Sequence, residues 1–558
     1  MGSPRSNSDV VTEKAAPLAC TECRRKHAKC DANMPVCLRC MSAGVQCHYL
    51  PSRRGLKRRA ASYSQHMRPN PSPPGPQQVQ CYGPGFVASG ESSVQTHLDV
   101  FPDQAPVATV SLEEPQQYYP VEDDEALINL FYANFHAAHP ILVPRTLYTT
   151  QAYPAYLKLV VHFLGSHFST ATSSDTLRSV TASALAEAGG RNHSFHLVQA
   201  LLLFSIALHA RNEIPECVSM LAQAVSLALE LGMHRKSFSE DYGRQSAIQE
   251  ESLRRTWWEL YVTDGFMAAL QRKSSFDCHT SSPDVPLPCE ESLYVEGSFF
   301  REPPSLAEFD ARMYAPEETH YSSFCYRIEA VRVLARVLSI AWTHDVHEDQ
   351  VRAIDNALAA WPHHLDVAKT DAATTYGGVD EMLFQAHMLI HYSTIYLHFP
   401  RSDLVATLPG ASNIIRQQHL LPVSTRNMHG IKALEASKQL ANLAAIPTPM
   451  QKHSPFFICG IVFCVLVQLS ACSLPELYNS QDRYRDSISL ITGVLRTLSP
   501  TWALAQVTLR KIKNIALETL FLQDKPVTTT SPHDSGVDLS ASITDLQISD
   551  LLWIDALH

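Results

Sequence analysis

Hydrophobic residues recur with a helical period between residues 121 and 525, and short polar or proline-containing breaks divide this pattern into segments. Alternating, strand-like runs are few. In one segment the apolar positions share a single helix face, and Gly232 follows where the helix is expected to end. Those positions are Leu221, Ala224, Val225, Ala228 and Leu231. The pattern predicts a large all-α domain over residues 121–525, so the expected fold class is mainly α.

Three other regions lack a helical pattern. Residues 60–120 contain ten prolines together with many Ser, Gln and Gly residues, which is typical of a linker. Residues 526–558 begin with Thr, Ser and Pro and continue with five aspartates among hydrophobic residues, without Lys or Arg. We expect both of these regions, and residues 1–16, to be disordered in the free chain.

Charge is distributed unevenly along the 558 residues, whose formal net charge is −10. Residues 1–60 hold 12 Lys or Arg against 4 Asp or Glu, whereas the rest of the chain holds 33 against 51. A basic end is suited to a polyanion such as nucleic acid. Six of the 14 cysteines also lie in this end. No secretory signal is visible, so we expect a reducing compartment, which favours metal thiolates over disulfides.

The six clustered cysteines form a repeat with the spacing C-x2-C-x6-C-x6-C-x2-C-x6-C, in which the first three positions recur 17 residues later. Zinc prefers four tetrahedral ligands, so two ions need eight ligand positions, which six sulfurs fill only if two sulfurs bridge both ions. The repeat therefore predicts a cluster of two zinc ions. Each Cys-x2-Cys pair is expected to begin a short helix, with the metals replacing a hydrophobic core. The predicted ligands are Cys20, Cys23, Cys30, Cys37, Cys40 and Cys47.

With the spacing of all six cysteines matched, this segment resembles the DNA-binding domain of the fungal binuclear zinc cluster transcription factors. The resemblance implies that residues 17–59 form a Zn(2)-Cys(6) domain with a basic extension, in which Cys20 and Cys37 bridge the two zinc ions. It also implies a double-stranded DNA target with CGG-like triplets, and the nucleus as the location. A metallothionein-like fold or a disulfide knot is the alternative, but neither needs this repeat beside a basic segment.

Between Cys23 and Cys30, the sequence RRKHAK places four or five cationic or protonatable groups on a helix too short for intrahelical pairs. In the family, a basic pair in this segment contacts the base triplet in the major groove, and Lys26 and His27 occupy those positions here. His27 departs from the Arg or Lys that the family more often has. We expect phosphate contacts from further basic residues, namely Arg24, Arg25, Lys29, Arg53 and Arg54.

A second basic run follows the cysteines and can bind phosphate, serve as a nuclear localisation signal, or do both. It consists of Arg53, Arg54, Lys57, Arg58 and Arg59. The proline-rich stretch after it contains no run of three or four heptads, so no coiled coil is predicted. The sequence therefore leaves open whether the chain forms a homodimer.

Several helical segments between residues 125 and 522 resemble the regulatory "middle homology" region of the same family. Two examples are EESLRRTWWELYVTDGFMAALQRKSSF from residue 250 and SPTWALAQVTLRKIKNIALETLF from residue 499. On the first, Asp264 shares a helix face with Trp257, Tyr261 and Ala268, so we expect it to be partly buried and paired with a group such as an arginine. A structural role is the preferred interpretation, and a place in an effector pocket is the alternative.

No motif of a known enzyme class is found, so we expect no catalytic residues and no enzyme activity. The H-E-x-x-H, G-x-S-x-G and P-loop patterns are all missing from the sequence. His387 and His391 have the i, i+4 spacing of metal ligands, and His398 follows. Because no acidic residue completes such a site at helical spacing, we interpret this segment as a packing helix.

The most apolar run of the chain extends from Phe456 to Cys472. It is shorter than the ~20 residues of a membrane span and contains Gln468 and Ser470, so we expect a buried core helix and no membrane partner. Cys459 and Cys464 within it are expected to be core thiols.

The tail over residues 526–558 alternates aspartates with hydrophobic residues, a pattern suited to a segment that folds on a coactivator. The alternative is that the tail packs on the helical domain, with Trp553 as its anchor. We expect a zinc-dependent activator of a biosynthetic gene cluster. A regulator of primary metabolism or of stress and drug response, or a repressor with a packed tail, is the alternative.

Overall fold

The computed structural model divides the chain into two compact units, Met1–Val110 and Ser111–His558. In the first unit it describes residues 22–23, 26, 28–31 and 37–45. In the second it describes residues 124–190, 193–243, 246–299, 302–315, 319–341, 343, 346–373, 378–408, 421–474 and 481–521.

In its described part the first unit contains the short helix α1 (Leu38–Ser42), and Glu22 and Cys23 are helical as well. The chain leaves this helix through Gly44, whose φ of +62° lies in the left-handed region that glycine adopts without strain. This conformation lets the Val45 N–H donate to the Cys40 carbonyl at 3.1 Å, which satisfies one of the free carbonyls at the helix end.

The second unit is built from helices. The first part of the unit contains α2 (Asp124–Asn134), α3 (Arg145–Tyr148), α4 (Ala155–Ser166), α5 (Ser174–Gly189), α6 (Phe195–Ala210), α7 (Ile214–Leu231), α8 (Lys236–Tyr242) and α9 (Ala247–Leu270). Short helices follow: α10 (Asp277–Thr280), α11 (Glu291–Glu296) and α12 (Leu306–Asp310). The remaining α-helices are α13 (Ser323–Ala341), α14 (Glu348–Ala360), α15 (Glu381–His398), α16 (Val423–Ala444), α17 (Phe456–Cys472), α18 (Gln481–Leu498) and α19 (Ala503–Phe521).

Short 3-10 helices connect several of these elements, at Arg312–Tyr314, Trp361–His364, Val367–Lys369, Phe399–Arg401, Asp403–Thr407 and Met450–Lys452. Among the described residues there is no β-strand, and one isolated bridge pairs Ala373 with Val379. The predicted mainly α fold class is therefore confirmed. Helix α7 ends where the sequence pattern indicated, because Gly232 takes a left-handed φ of +77°.

Helices that are near in sequence pack together, first α2 with α4 and α6 with α7, then α13 with α15 and α15 with α16. Five helices form the centre of the core: α6, α9, α13 and α15 are buried over most of their length, and every residue of α17 is buried. The apolar run from Phe456 to Cys472 is thus a core helix, as expected.

By length and composition alone, α7 is the one helix in the described part of the chain that is long and apolar enough to cross a membrane. Its apolar face packs against α6, and its outward positions include the exposed Glu216 and Glu230. An amphipathic helix with one buried face is typical of a packed α domain.

Asp264 lies near the end of α9 and is partly buried, as predicted, but its partner is not an arginine. Its carboxylate accepts a hydrogen bond from the Cys278 backbone N–H at 3.0 Å, at the start of α10, rather than one from an arginine. Burial raises the pKa of Asp264 above its usual value, and the bond from Cys278 offsets this only in part. Asp264 therefore ties α10 to α9, because a free N–H at a helix start is a good partner for a carboxylate.

Candidate metal centre and DNA-binding surface

Four of the six predicted cysteine ligands lie in the described part of the chain, and the structure brings them together. Cys23, Cys37 and Cys40 are buried and form one small cluster, with Cys30 packed against it. The ligand atoms of Cys23, Cys37 and Cys40 lie within 4.8 Å of one another, and so do those of Cys30, Asp31 and Cys37. Cys37 belongs to both sets, which is the arrangement that a sulfur shared by two metal ions needs.

Local geometry around Cys37 explains how the chain holds this arrangement. Cys37 caps the start of α1, and its Sγ accepts a hydrogen bond from the Cys40 N–H at 3.4 Å. The Leu38 N–H donates to both carboxylate oxygens of Asp31, at 3.1 and 3.2 Å. The second Cys-x2-Cys pair therefore begins a helix, as predicted. The hydrogen bonds to Asp31 connect that helix to the segment that contains Cys30.

Asp31 was missed by the sequence interpretation, which considered cysteine ligands alone. The signal for it was its place directly after the third cysteine of the repeat, where a short acidic side chain can reach the next helix. Aspartate is a good partner for the free N–H groups of a first helical turn.

The spacing of the sulfurs fits zinc. The Sγ atoms of Cys23 and Cys37 are 3.7 Å apart. In a tetrahedral zinc site with Zn–S bonds of about 2.3 Å, two thiolates on the same ion are separated by about 3.8 Å. Cys23, Cys30, Cys37 and Cys40 would hold the metal, whose role would be structural, since about 30 residues cannot form a hydrophobic core of their own.

Two of the predicted DNA-contacting residues are described, and both are at the surface. Lys29 is exposed, and 48% of the Lys26 side chain is accessible to solvent. Lys26 forms an ion pair with Glu22 at 3.1 Å, one helical turn earlier, so the expectation that this helix is too short for intrahelical pairs was wrong. An exposed pair of this kind contributes less than about 1 kcal/mol, so a DNA phosphate or base can displace Glu22.

The other predicted residues of this region lie outside the described residues. They are Cys20 and Cys47 among the ligands, Arg24, Arg25, His27, Arg53 and Arg54 among the DNA contacts, and Lys57, Arg58 and Arg59 of the proposed localisation signal. The tail over residues 526–558 lies outside them as well.

The histidines with metal-ligand spacing on α15, His387, His391 and His398, do not form a metal site in the described part of the chain. The His387 and His391 rings lie along one helix with their centres 6.4 Å apart. His398 instead bonds to His429, with 2.7 Å between the two Nδ1 atoms, and to Asp355. The two sets of cysteine-containing ligand atoms described above are the metal-compatible groups that these residues provide.

The thiols in α17 have the environment expected of core residues. Burial raises the pKa of Cys459 and of Cys464 above the usual value of a thiol, so both stay protonated at neutral pH. The Cys464 Sγ donates to the Ser437 carbonyl at 3.0 Å, which adds to the packing between α17 and α16.

Comparison with known proteins gives two matches to family models. Residues 18–56 match the fungal Zn(2)-Cys(6) binuclear cluster domain, and residues 128–363 match the fungal specific transcription factor domain. The C6 finger domain transcription factor iacK of Pestalotiopsis fici is 28% identical over 555 residues, which cover 93% of this chain and 82% of that protein. No solved structure matches the chain.

A cysteine cluster with zinc geometry beside exposed lysines, joined to a large helical domain, defines a zinc-binding, DNA-binding transcription regulator. More particularly, the chain contains a fungal Zn(2)-Cys(6) binuclear cluster domain and a fungal specific transcription factor domain, and over most of its length it is similar to a C6 finger domain transcription factor. The resemblance inferred from the six cysteines and the helical segments is thus confirmed.

Proposed function

We propose that this protein is a nuclear, sequence-specific activator of RNA polymerase II genes whose DNA-binding domain is held together by two zinc ions. The observation that carries the proposal is the position of Cys37 in both groups of ligand atoms, beside the exposed Lys26 and Lys29. A sulfur shared between two groups is what a two-ion cluster with six ligands requires.

In this proposal Lys26 and His27 contact a CGG-like triplet in the major groove, with Lys26 donating to guanine O6 and N7. Phosphate contacts come from five basic residues, namely Arg24, Arg25, Lys29, Arg53 and Arg54. The run from Arg53 to Arg59 also directs the chain to the nucleus. The excess of positive charge in residues 1–60 supports this assignment.

DNA binding by the full zinc-loaded chain tests the first part of the proposal. Fluorescence anisotropy would compare duplexes that carry two CGG triplets, as direct, inverted or everted repeats, with a duplex in which the triplets are scrambled. We expect tight binding to at least one repeat, loss of binding with Cys37→Ala or with a chelator, and no change with Cys472→Ala, a buried cysteine outside the cluster. Equal binding to the scrambled duplex would contradict the proposal.

The stoichiometry of the bound complex tests homodimerisation. Light scattering of the chain on a duplex with two triplets gives the mass of the complex. Two chains per duplex would support a dimer, and one chain per duplex would support a monomer.

Activation through the tail is the second part of the proposal. The five aspartates and the hydrophobic residues of residues 526–558 support recruitment of a coactivator. We expect a full chain ending at residue 525 to bind its DNA site normally and to lose reporter activation. If truncation instead increased activation, the tail would act as a repressing segment packed on the helical domain.

We further propose a biosynthetic gene cluster as the target, since many members of the family control one such cluster. Transcripts of the native host would be compared between overexpression and deletion of this gene. Responding genes that are contiguous with the gene itself support the proposal. If the responding genes were instead dispersed through primary metabolism or drug response, the protein would be a broad regulator and the gene-cluster proposal would be wrong.

A further inference from the structure

A cavity of about 560 Å³ lies in the helical unit, between the C-terminal ends of α13 and α15, one side of α14 and the first turns of α16. Cavities of this size hold small organic molecules in other proteins. Apolar side chains such as Val351 and Met428 form a large part of its lining. The body of a bound molecule would therefore be apolar.

A hydrogen-bonded chain of three side chains lies at one wall of the cavity. His398 Nε2 is 3.1 Å from the Asp355 carboxylate, and His398 Nδ1 is 2.7 Å from Nδ1 of His429. A carboxylate accepts, so His398 donates from Nε2, and its Nδ1 then accepts the proton of His429 Nδ1. Burial, with the cations Lys432 and Arg401 nearby, lowers the pKa of both histidines below the usual value.

The negative charge of Asp355 is therefore already matched. The carboxylate bonds to His398 and also to the Lys432 ammonium. These two partners lower the pKa of Asp355 to about 2 in spite of its burial, so it stays ionised and paired. Glu348, a further carboxylate of the lining, is exposed to water.

Arg401 also lines the cavity, and its positive charge has no carboxylate partner among the described residues. Its guanidinium donates to the carbonyls of Leu397 and Ile340, at 2.7 and 2.9 Å, at the ends of α15 and α13. Burial lowers the pKa of Arg401 to about 10, so the group is still charged at neutral pH. Ser424 and Thr425 of the first turn of α16 face the same space, and this helix start has no side-chain cap. Both features favour an anion.

We propose that this cavity binds a small organic acid, with its carboxylate at Arg401 and the start of α16 and its apolar body along Val351 and Met428. A cationic or neutral ligand would leave the Arg401 charge unmatched. The proposal goes beyond the function proposed above and is tested without DNA, so its failure leaves that function untouched.

Three probes with one apolar body test the head group: 2-naphthoate, 2-naphthamide and 2-naphthylmethylammonium. Calorimetry on the full zinc-loaded chain at pH 7.4 would measure their affinities. We expect 2-naphthoate to bind at least about tenfold more tightly than the other two, because it alone supplies a carboxylate. Equal binding of all three probes, or no binding of 2-naphthoate at millimolar concentration, would overturn the proposal.

Substitutions then locate the site. Met428 is 53% exposed, so Met428→Trp can fill the cavity without disturbing the core, and we expect it to weaken 2-naphthoate binding at least about tenfold. Lys432→Gln and Arg401→Gln should also weaken it, since each removes a cation from the lining. Lys438→Gln is the control, because this exposed lysine lies on α16 outside the lining. Unchanged affinity in Met428→Trp would overturn the assignment even if Arg401→Gln failed to fold.

Discussion

Arg327 and Glu259 form a fully buried ion pair at the centre of the helical unit. Two hydrogen bonds join them, from Nη1 to Oε2 at 2.6 Å and from Nη2 to Oε1 at 2.7 Å. His139 Nδ1 lies 2.8 Å from the same carboxylate. Burial raises the pKa of Glu259, but the charges and hydrogen bonds of Arg327 and His139 have the larger effect and lower it to about 2. The cluster joins α9 and α13 to the segment after α2.

Removing one partner of this pair should strongly destabilise the helical unit. Glu259→Gln leaves the Arg327 charge buried without a counter-charge, and we expect a loss of about 3–5 kcal/mol in the free energy of unfolding. Urea unfolding followed by tryptophan fluorescence measures it, because all six tryptophans of the chain lie outside residues 1–110.

Two comparisons show whether the unpaired charge is the cause. The double variant Glu259→Gln with Arg327→Met should be less destabilised than Glu259→Gln alone, since no buried charge remains unpaired. Asp310→Asn breaks the partly exposed pair with Arg332 and should cost less than about 1 kcal/mol. A double variant as unstable as the sum of its single variants would contradict this account.

Acid should destabilise the helical unit before its carboxylates are protonated. Burial lowers the pKa of His209 and of His391 to about 3, and that of His167 to about 4, from the usual 6.5. The unfolded chain therefore binds more protons than the folded chain below pH 6.5, so the free energy of unfolding falls as pH decreases from 6.5. The contribution of Glu259 is lost only below its usual pKa of 4.5.

A single histidine variant tests whether buried histidines cause the loss of stability in acid. Urea unfolding at pH 6.5 and pH 5 should show a decrease that is smaller in His209→Gln than in the natural chain, by about 1–2 kcal/mol. His363→Gln, at an exposed position, should leave the decrease as it is. An identical decrease in His209→Gln would assign the acid sensitivity to other groups.

Gly165 is required where α4 crosses α2. A Cβ at this position would overlap the carbonyl oxygen of Leu127, a backbone atom that cannot turn aside. We expect Gly165→Ala to destabilise the unit by about 1–3 kcal/mol. Gly493 in α18 has no heavy atom within 4 Å of such a Cβ, so Gly493→Ala should stabilise by about 0.5–1 kcal/mol. Thermal unfolding distinguishes the two signs.

The two described lysines of the DNA-binding domain should have different effects on DNA binding. Lys26→Gln should weaken binding to the CGG duplex by about 1–3 kcal/mol and lower the preference over the scrambled duplex. Lys29→Gln should weaken binding to the CGG duplex and to the scrambled duplex equally, and it should reduce the slope of log affinity against log salt concentration by about 0.9. If Lys29→Gln instead lowered the preference for the CGG duplex, Lys29 would be the residue that contacts the bases.

Zinc content should depend on Cys37 more than on a cysteine of the helical unit. Because Cys37 contributes to both groups of ligand atoms, we expect Cys37→Ala to lower the bound zinc from the proposed two ions per chain to less than one. Cys472→Ala should retain two ions. Retention of two ions by Cys37→Ala would show that its sulfur is not shared.

The sequence contains enough to predict the metal centre and the helices. Cysteine is a strong zinc ligand, and its spacing places the ligands of one small site within about thirty residues, so Cys23, Cys30, Cys37 and Cys40 come together as expected. Helical periodicity is also local, which is why α7 and its end at Gly232 were predicted correctly.

The sequence could not indicate which polar residues the core would contain. Most of α9 is buried, including Glu259, although its composition does not distinguish it from a surface helix. Its partner Arg327 lies 68 residues away, and no local pattern links the two. For the same reason the need of Asp264 for a partner was predictable but the partner itself was not, since the start of α10 reaches it only through the turn after α9.

The amino-acid sequence by itself was enough to predict the cysteine cluster, the helical class and the family resemblance, because metal ligation and helix formation depend on residues close together in the chain. Tertiary structure alone decided the buried pair of Arg327 with Glu259 and the cavity beside Arg401 and His429. Each depends on contacts between different helices, so the position of each side chain is set by how those helices pack.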